Sequence, residues 1–130
     1  MARVPSRAKI ASVGICLLGS WLLGPTSAMA EYDVKSALQA YELADSNNRK
    51  VWDLVFGNTY NGMKWANSAL AQRKQQRLYC EPDNAALSGP EVREMLREQL
   101  NADPKFGELP YGFAILVILQ IRFPCTNTNI

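Results

Sequence analysis

Two cysteines, Cys80 and Cys125, constrain what this chain can fold into more than any other feature, because the first thirty residues read as an export signal. Arg3, Arg7 and Lys9 lead into an apolar run from Ile10 to Leu23, broken only by Ser12, Gly14, Gly19 and Ser20, and Ala28-Met29-Ala30 follows. A basic start, an apolar middle and a small-residue end are the parts of a secretory signal peptide, with cleavage expected after Ala30. The run is shorter than the about 20 residues that span a bilayer and stops at Gly24-Pro25, which argues against a stable membrane anchor in the mature form. Cys16, inside the run and without a lipobox before it, leaves with the leader. In the oxidising compartment beyond, two cysteines allow one intramolecular pairing, so Cys80 and Cys125 are expected to form a disulfide. Closing a loop of about 45 residues is worth about 4 kcal/mol on the chain-entropy argument. That matters for a small domain, whose net stability is typically about 5–15 kcal/mol. A CxxC redox pair would need closer cysteines, and a zinc site would need more ligands.

Removing the leader also changes the charge. The whole chain has 14 Lys+Arg and 12 Asp+Glu, a net charge of +2. The three leader charges are all basic, so Glu31 to Ile130 carries −1. The apparent basicity belongs to the export signal, and nucleic-acid binding loses its main sequence argument. The chain has no histidine. No Ser-His-Asp or Cys-His system, histidine general base or histidine metal ligand can be built from it.

The mature sequence reads as helices. From Tyr32 to Asp45, Val34, Ala37, Leu38, Tyr41 and Leu43 or Ala44 recur at three- and four-residue steps, Asp33 can cap the start, and Ser46-Asn47-Asn48 is expected to end the helix. From Lys50 to about Gln72 a long stripe runs through Trp52, Val55 or Phe56, Tyr60, Met63, Ala66 or Asn67, and Leu70. Gly57 and Gly62 each cost about 1 kcal/mol there relative to alanine, a cost tolerated where another helix approaches closely or the helix kinks. Arg73 to Arg77 reads as a polar turn, and Leu78-Tyr79-Cys80-Glu81-Pro82 as an extended piece held by its cysteine.

Ser88-Gly89-Pro90-Glu91 is a capping box, with serine as N-cap, proline in the first turn and glutamate reaching back to the cap. The helix it opens is predicted to turn Val92, Met95, Leu96, Gln99 and Leu100 inward. Glu91, Arg93, Glu94, Arg97 and Glu98 then face outward as a solvated, ion-paired surface rather than a paired-carboxylate site. Asn101 to Leu109, with Asp103-Pro104 and Gly107, is predicted to be a loop. Pro110 to Phe123 is almost wholly apolar and too short to span a membrane; with no second strand-like run to pair with, it is predicted to be a central helix buried all round. Phe123-Pro124-Cys125 ends it, and residues 126–130 form a frayed tail. The expected fold is therefore all-α, a compact bundle of about four helices over residues 31–125 closed by Cys80–Cys125.

Nothing in the sequence supplies chemistry: there is no glycine-rich phosphate loop, no metal-ligand cluster, and no base placed to activate Ser46, Ser68 or Ser88. The expectation is a non-enzyme that binds without cofactor or metal, its small, exported, disulfide-closed domain acting through its surface. An enzyme working with carboxylates alone is the least favoured reading.

Three short motifs point further. Gly62-Met63-Lys64-Trp65-Ala66-Asn67-Ser68-Ala69-Leu70, Leu78-Tyr79-Cys80-Glu81-Pro82 and, after the capped helix, Phe123-Pro124-Cys125 resemble, in order and spacing, the Rap/Tai family of type VI secretion amidase immunity proteins. The resemblance covers about Val51 to Cys125. It implies a periplasmic all-α protein that binds a peptidoglycan amidase effector and sterically blocks its cleft, and it allows a homodimer. Many family members carry a further cysteine where this chain has Val55 and Phe56, so a second disulfide is not expected.

Gly62, Trp65, Asn67, Tyr79, Pro82, Phe123 and Pro124 carry the resemblance and are read as structural: Trp65 in the core or a dimer interface, Asn67 satisfying backbone inside a helix. Partner contact is instead placed on Ala102 to Glu108, through Asp103, Lys105, Phe106 and Glu108, because a Pro- and Gly-bounded loop with one large apolar residue can plug a concave site. Arg73 to Arg77 is the alternative contact. The rival function is a periplasmic stress or acid chaperone, or another non-catalytic helical binding protein. A chaperone would expose apolar surface on acidification, whereas an immunity protein would bind one partner tightly.

Overall fold

The structure, a computed structural model, describes residues 31–126. The predicted leader and residues 127–130 of the predicted tail lie outside the described residues. Among them the chain forms four α-helices, α1 (Val34–Leu43), α2 (Ser46–Gln72), α3 (Gly89–Ala102) and α4 (Tyr111–Arg122), with a 3-10 helix over Pro104–Glu108. The all-α bundle and its Cys80–Cys125 disulfide are as the sequence indicates.

Capping chemistry explains where the helices start. Asp33 accepts the Ser36 amide at 2.6 Å to open α1. Asp45 accepts the amides of Asn47 and Asn48, each at 2.9 Å, to open α2. Ser46-Asn47-Asn48 therefore begins a helix rather than ending one. Short polar side chains serve turns and N-caps alike, and the preceding aspartate decides between them here. Donated hydrogen bonds, above all from the backbone amides of Ser36 and Asn48, hold the Asp33 and Asp45 carboxyls below their ordinary range. At α3 the predicted box is complete: Glu91 Oε2 accepts from Ser88 N at 2.6 Å, and Ser88 Oγ accepts from Glu91 N at 3.4 Å.

The core lies where α1, α2, α3 and α4 meet, with Val34, Phe56, Tyr60, Leu96, Ile115 and Leu119 almost wholly removed from water. The helices α2 and α3 form the most extensive pairing, and glycine makes it possible. A Cβ on Gly89 would lie 1.8 Å from the Asp53 carbonyl oxygen, and one on Gly57 would lie 3.3 Å from the Gly89 nitrogen. Gly57 is thus a site of close helix approach; Gly62 is not, since among the described residues nothing beyond its own stretch of helix lies within 4 Å of where its Cβ would be.

Three further expectations are corrected. Arg93, assigned to the solvated face of α3, has a side chain only 14% exposed, pairs with Asp53 and stacks 4.1 Å from the Tyr41 ring centroid. Its aliphatic stem covers apolar surface while the guanidinium finds a carboxylate and an aromatic face. The helix α4 is buried on one side only, through Ala114, Ile115, Ile118 and Leu119, while Phe113 and Ile121 are 54% and 59% exposed. Four helices in a domain this small leave none to cover the fourth from outside. Finally, Asn101 to Leu109 is not a loop: α3 runs to Ala102, Asp103 caps the 3-10 helix by accepting the Lys105 amide at 3.0 Å, and Phe106 enters the core. No helix among the described residues is long and apolar enough to cross a membrane.

Candidate functional site

Asn67, Tyr79, Cys80, Phe123 and Cys125, drawn from all three motifs, converge, while Gly62 and Trp65 of the first are exposed. Asn67, on the inner side of α2, is buried; its Nδ2 donates to Tyr79 O at 2.7 Å and its Oδ1 accepts from Leu78 N at 2.7 Å. One side-chain amide thereby satisfies the donor and acceptor of two consecutive residues, as a neighbouring strand would. Cys80 N donates to Phe123 O at 2.8 Å, Gln120 Nε2 donates to Leu78 O at 3.2 Å, and the disulfide brings the Cα atoms of Cys80 and Cys125 to 4.8 Å. Phe123 packs against the core, while Pro82 and Pro124 are exposed beside the bridge. The extended segment after α2 is thus fastened to α2 on one side and to the end of α4 on the other.

Tyr60, Lys64 and Glu81 belong to the same fastening. The Tyr60 hydroxyl donates to Glu81 Oε1 at 2.5 Å, Lys64 Nζ donates to Ala85 O at 2.7 Å, and Lys64 Nζ lies 3.8 Å from Glu81 Oε2. Burial, and then the hydrogen bond to Glu81, raise the pKa of Tyr60 well above its ordinary value. Sequence reasoning did not assign these partners. Glu81 lies within the second motif, but no periodicity links it to a tyrosine twenty-one residues earlier.

Tyr79 is buried, and its hydroxyl has no hydrogen-bond partner among the described residues. Burial, followed by the Glu81 charge, pushes its pKa up from 10.0 to about 12. Because the unfolded phenol ionises first, this group favours the fold fully below about pH 10, and that contribution is lost as the pH rises toward 12. Tyr79→Phe should raise stability in urea unfolding at neutral pH by about 1 kcal/mol by removing an unmatched hydroxyl. It should also flatten, without abolishing, the alkaline loss of stability, since Tyr60 shifts in the same sense.

The predicted contact segment fares differently. Asp103, Lys105 and Glu108 are exposed, but Phe106 is only 5% exposed and packs in the core. The segment therefore has no apolar anchor to place in a partner's cleft. Proline and glycine suggested a surface loop; together they instead build a tight 3-10 turn that folds its one large side chain inward.

The exposed anchor is Trp65. It is 77% exposed, so it is not a core residue of this chain. Ser68, one helical step along α2, lines a polar groove of about 310 Å³ with Lys64, Ala71, Gln72, Arg77 and Asp83. Arg77 belongs to the alternative contact segment, and Lys74 within that turn takes a left-handed backbone with φ 55°. A second groove of about 440 Å³ lies between the ends of α3 and α4, lined by Met95, Gln99, Ala102, Ile118, Ile121 and Arg122. In the first groove the Ser68 hydroxyl donates to Lys64 O at 2.9 Å, and among the described residues no three or more His, Cys, Asp or Glu side chains are grouped to hold a metal ion.

Fold and surface define a small, disulfide-closed helical domain with an exposed aromatic anchor beside a polar groove. No protein-family model, no curated protein and no solved structure matches the chain.

Proposed function

We propose that the mature chain is a periplasmic immunity protein that binds a peptidoglycan amidase effector of a type VI secretion system and blocks its catalytic cleft by occupying it. The observation that carries this reading is the convergence of the three motifs by which the sequence resembles the Rap/Tai family. Asn67 from the first holds Leu78 and Tyr79 from the second, and Cys80 is joined to Phe123 and Cys125 from the third. Residues dispersed over half the sequence thus form one structural unit, as the motifs of a single protein should. Occlusion asks no chemistry of the inhibitor, only a rigid surface, and a segment fastened by a disulfide, an amide clamp and a buried carboxylate provides one.

The test is inhibition of purified type VI amidases acting on peptidoglycan. At one equivalent the oxidised mature chain should reduce hydrolysis by a cognate amidase to background, with an affinity on the order of nanomolar, and leave lysozyme unaffected. Failure against a broad amidase panel, together with suppressed aggregation of unrelated proteins on acidification, would identify a chaperone instead.

A further inference from the structure

The outward face of α2 has the composition of a contact surface. Val51, Leu54, Asn58, Asn61, Trp65 and Ser68 follow one another at steps of three and four, and every one is exposed. None is charged, whereas the solvent face of a surface helix is ordinarily rich in charge. A large aromatic ring among amides, a hydroxyl and a neighbouring glycine, Gly62, is the mixture used by protein-binding surfaces, in which tryptophan supplies the anchor and short polar groups adapt around it.

Charge indicates what this face meets. Between Ser46 and Arg77 there are six cations, Arg49, Lys50, Lys64, Arg73, Lys74 and Arg77, and one carboxylate, Asp53. That carboxylate is engaged by Arg93 of α3. Between Glu81 and Glu108 the balance reverses, with seven carboxylates against three cations. A domain of net charge −1 thus concentrates its positive charge around α2 and the turn after it. In the groove that Ser68 shares, one helical step from Trp65, Lys64 is engaged by Glu81 and Arg77 stands with Asp83, so the uncompensated positive charge lies at the exposed turn that carries Arg73, Lys74 and Arg77.

We infer that the α2 face centred on Trp65, with its cationic rim at Arg73 and Arg77, is the docking surface for a folded protein whose own contact surface is acidic and has an apolar recess for the indole. A second copy of this chain fits less well, because pairing through α2 sets two cationic segments against each other. A lipid surface also fits less well, because Asn58, Asn61 and Ser68 share the face with Leu54 and Trp65 and would enter the membrane with them. The identity of the partner as an amidase rests on the function proposed above; the surface does not.

The experiment places a photo-crosslinking phenylalanine derivative at position 65, and separately at position 108, in the full chain expressed and exported in its own cells. A captured protein is identified by mass spectrometry, purified and titrated against wild type, Trp65→Ala and Arg77→Glu at two salt concentrations. Trp65→Ala should weaken binding at least about 30-fold and Arg77→Glu about tenfold, with no change in the thermal midpoint of either variant. Wild-type affinity should fall with added salt. The inference requires one acidic protein captured at 65 and not at 108, with those losses on substitution. It is overturned by adducts only at 108, by crosslinks to a second copy, by no adduct, by unchanged affinity of Trp65→Ala, or by binding of the purified chain to phosphatidylglycerol vesicles that Trp65→Ala abolishes. Capture at 65 of an acidic protein without amidase activity leaves the surface standing and removes the immunity reading. An amidase bound equally well by both variants leaves the immunity reading standing and removes the surface.

Discussion

Replacing Cys80 and Cys125 together by alanine should cost the domain about 4 kcal/mol and lower its thermal midpoint on the order of 20 °C. The effect arises mainly in the unfolded chain, which regains the freedom of a loop of about 45 residues. The folded state keeps other ties between the same segments, since Cys80 N still donates to Phe123 O and Gln120 Nε2 still donates to Leu78 O. Each single Cys→Ala variant should therefore lose about as much as the double variant, and reduction of the wild type should reproduce that loss. Guanidinium unfolding of the four proteins, with and without reductant, measures this directly. A loss below about 1 kcal/mol would mean that the unfolded chain stays compact enough for the bridge to restrict it little. The same comparison bears on export: a chain kept in a reducing compartment would have the stability of the double variant.

How far this architecture could be read from sequence depends on which interaction sets each element. The capping box at Ser88, the Cys80–Cys125 pair and the stripe through Phe56 and Tyr60 are local or follow from counting, and all three appear in the structure. The start of α2 is not legible in sequence because Asp45-Ser46-Asn47-Asn48 suits a turn as well as a cap, and only the bonds to Asp45 resolve it. The burial of Arg93 is not legible either, because its partners, Asp53 and Tyr41, come from other helices. Phe106 bears most on function: proline and glycine around it suit a loop, and only the packing of the 3-10 helix turns the ring inward. The exposed aromatic is instead Trp65, which lies off the apolar stripe that runs through Tyr60, Met63 and Asn67.

Substituting Asn67 should separate the framework from the contact surface. Leucine keeps the branched heavy-atom skeleton of asparagine but leaves Leu78 N and Tyr79 O without the partners they now have at 2.7 Å each. An unmatched buried backbone group costs about 1–3 kcal/mol, and the Leu78 amide lies nearer solvent than the Tyr79 carbonyl, so Asn67→Leu should lose about 3 kcal/mol. Asn67→Asp distinguishes the two bonds. Its carboxylate can still accept from Leu78 N but sets a negative charge against the Tyr79 carbonyl oxygen, a contact that only the protonated acid turns into a donated hydrogen bond. The folded state then raises that carboxyl's pKa, so the bond is fully present below the ordinary carboxylate range and lost as pH rises through the raised value. Relative to wild type, Asn67→Asp should therefore recover stability on acidification while Asn67→Leu does not. Urea unfolding at pH 7 and pH 4 reads both. A loss within about 1 kcal/mol for Asn67→Leu would mean that the disulfide and the bonds with Tyr60, Gln120 and Phe123 fix the segment without the amide. Asn67→Leu and Trp65→Ala should both weaken partner binding but differ in their effect on stability. Because Asn67, Glu81 and Pro82 line the groove beside Ser68, loosening this segment weakens affinity and stability together. Removing the exposed indole should weaken affinity alone.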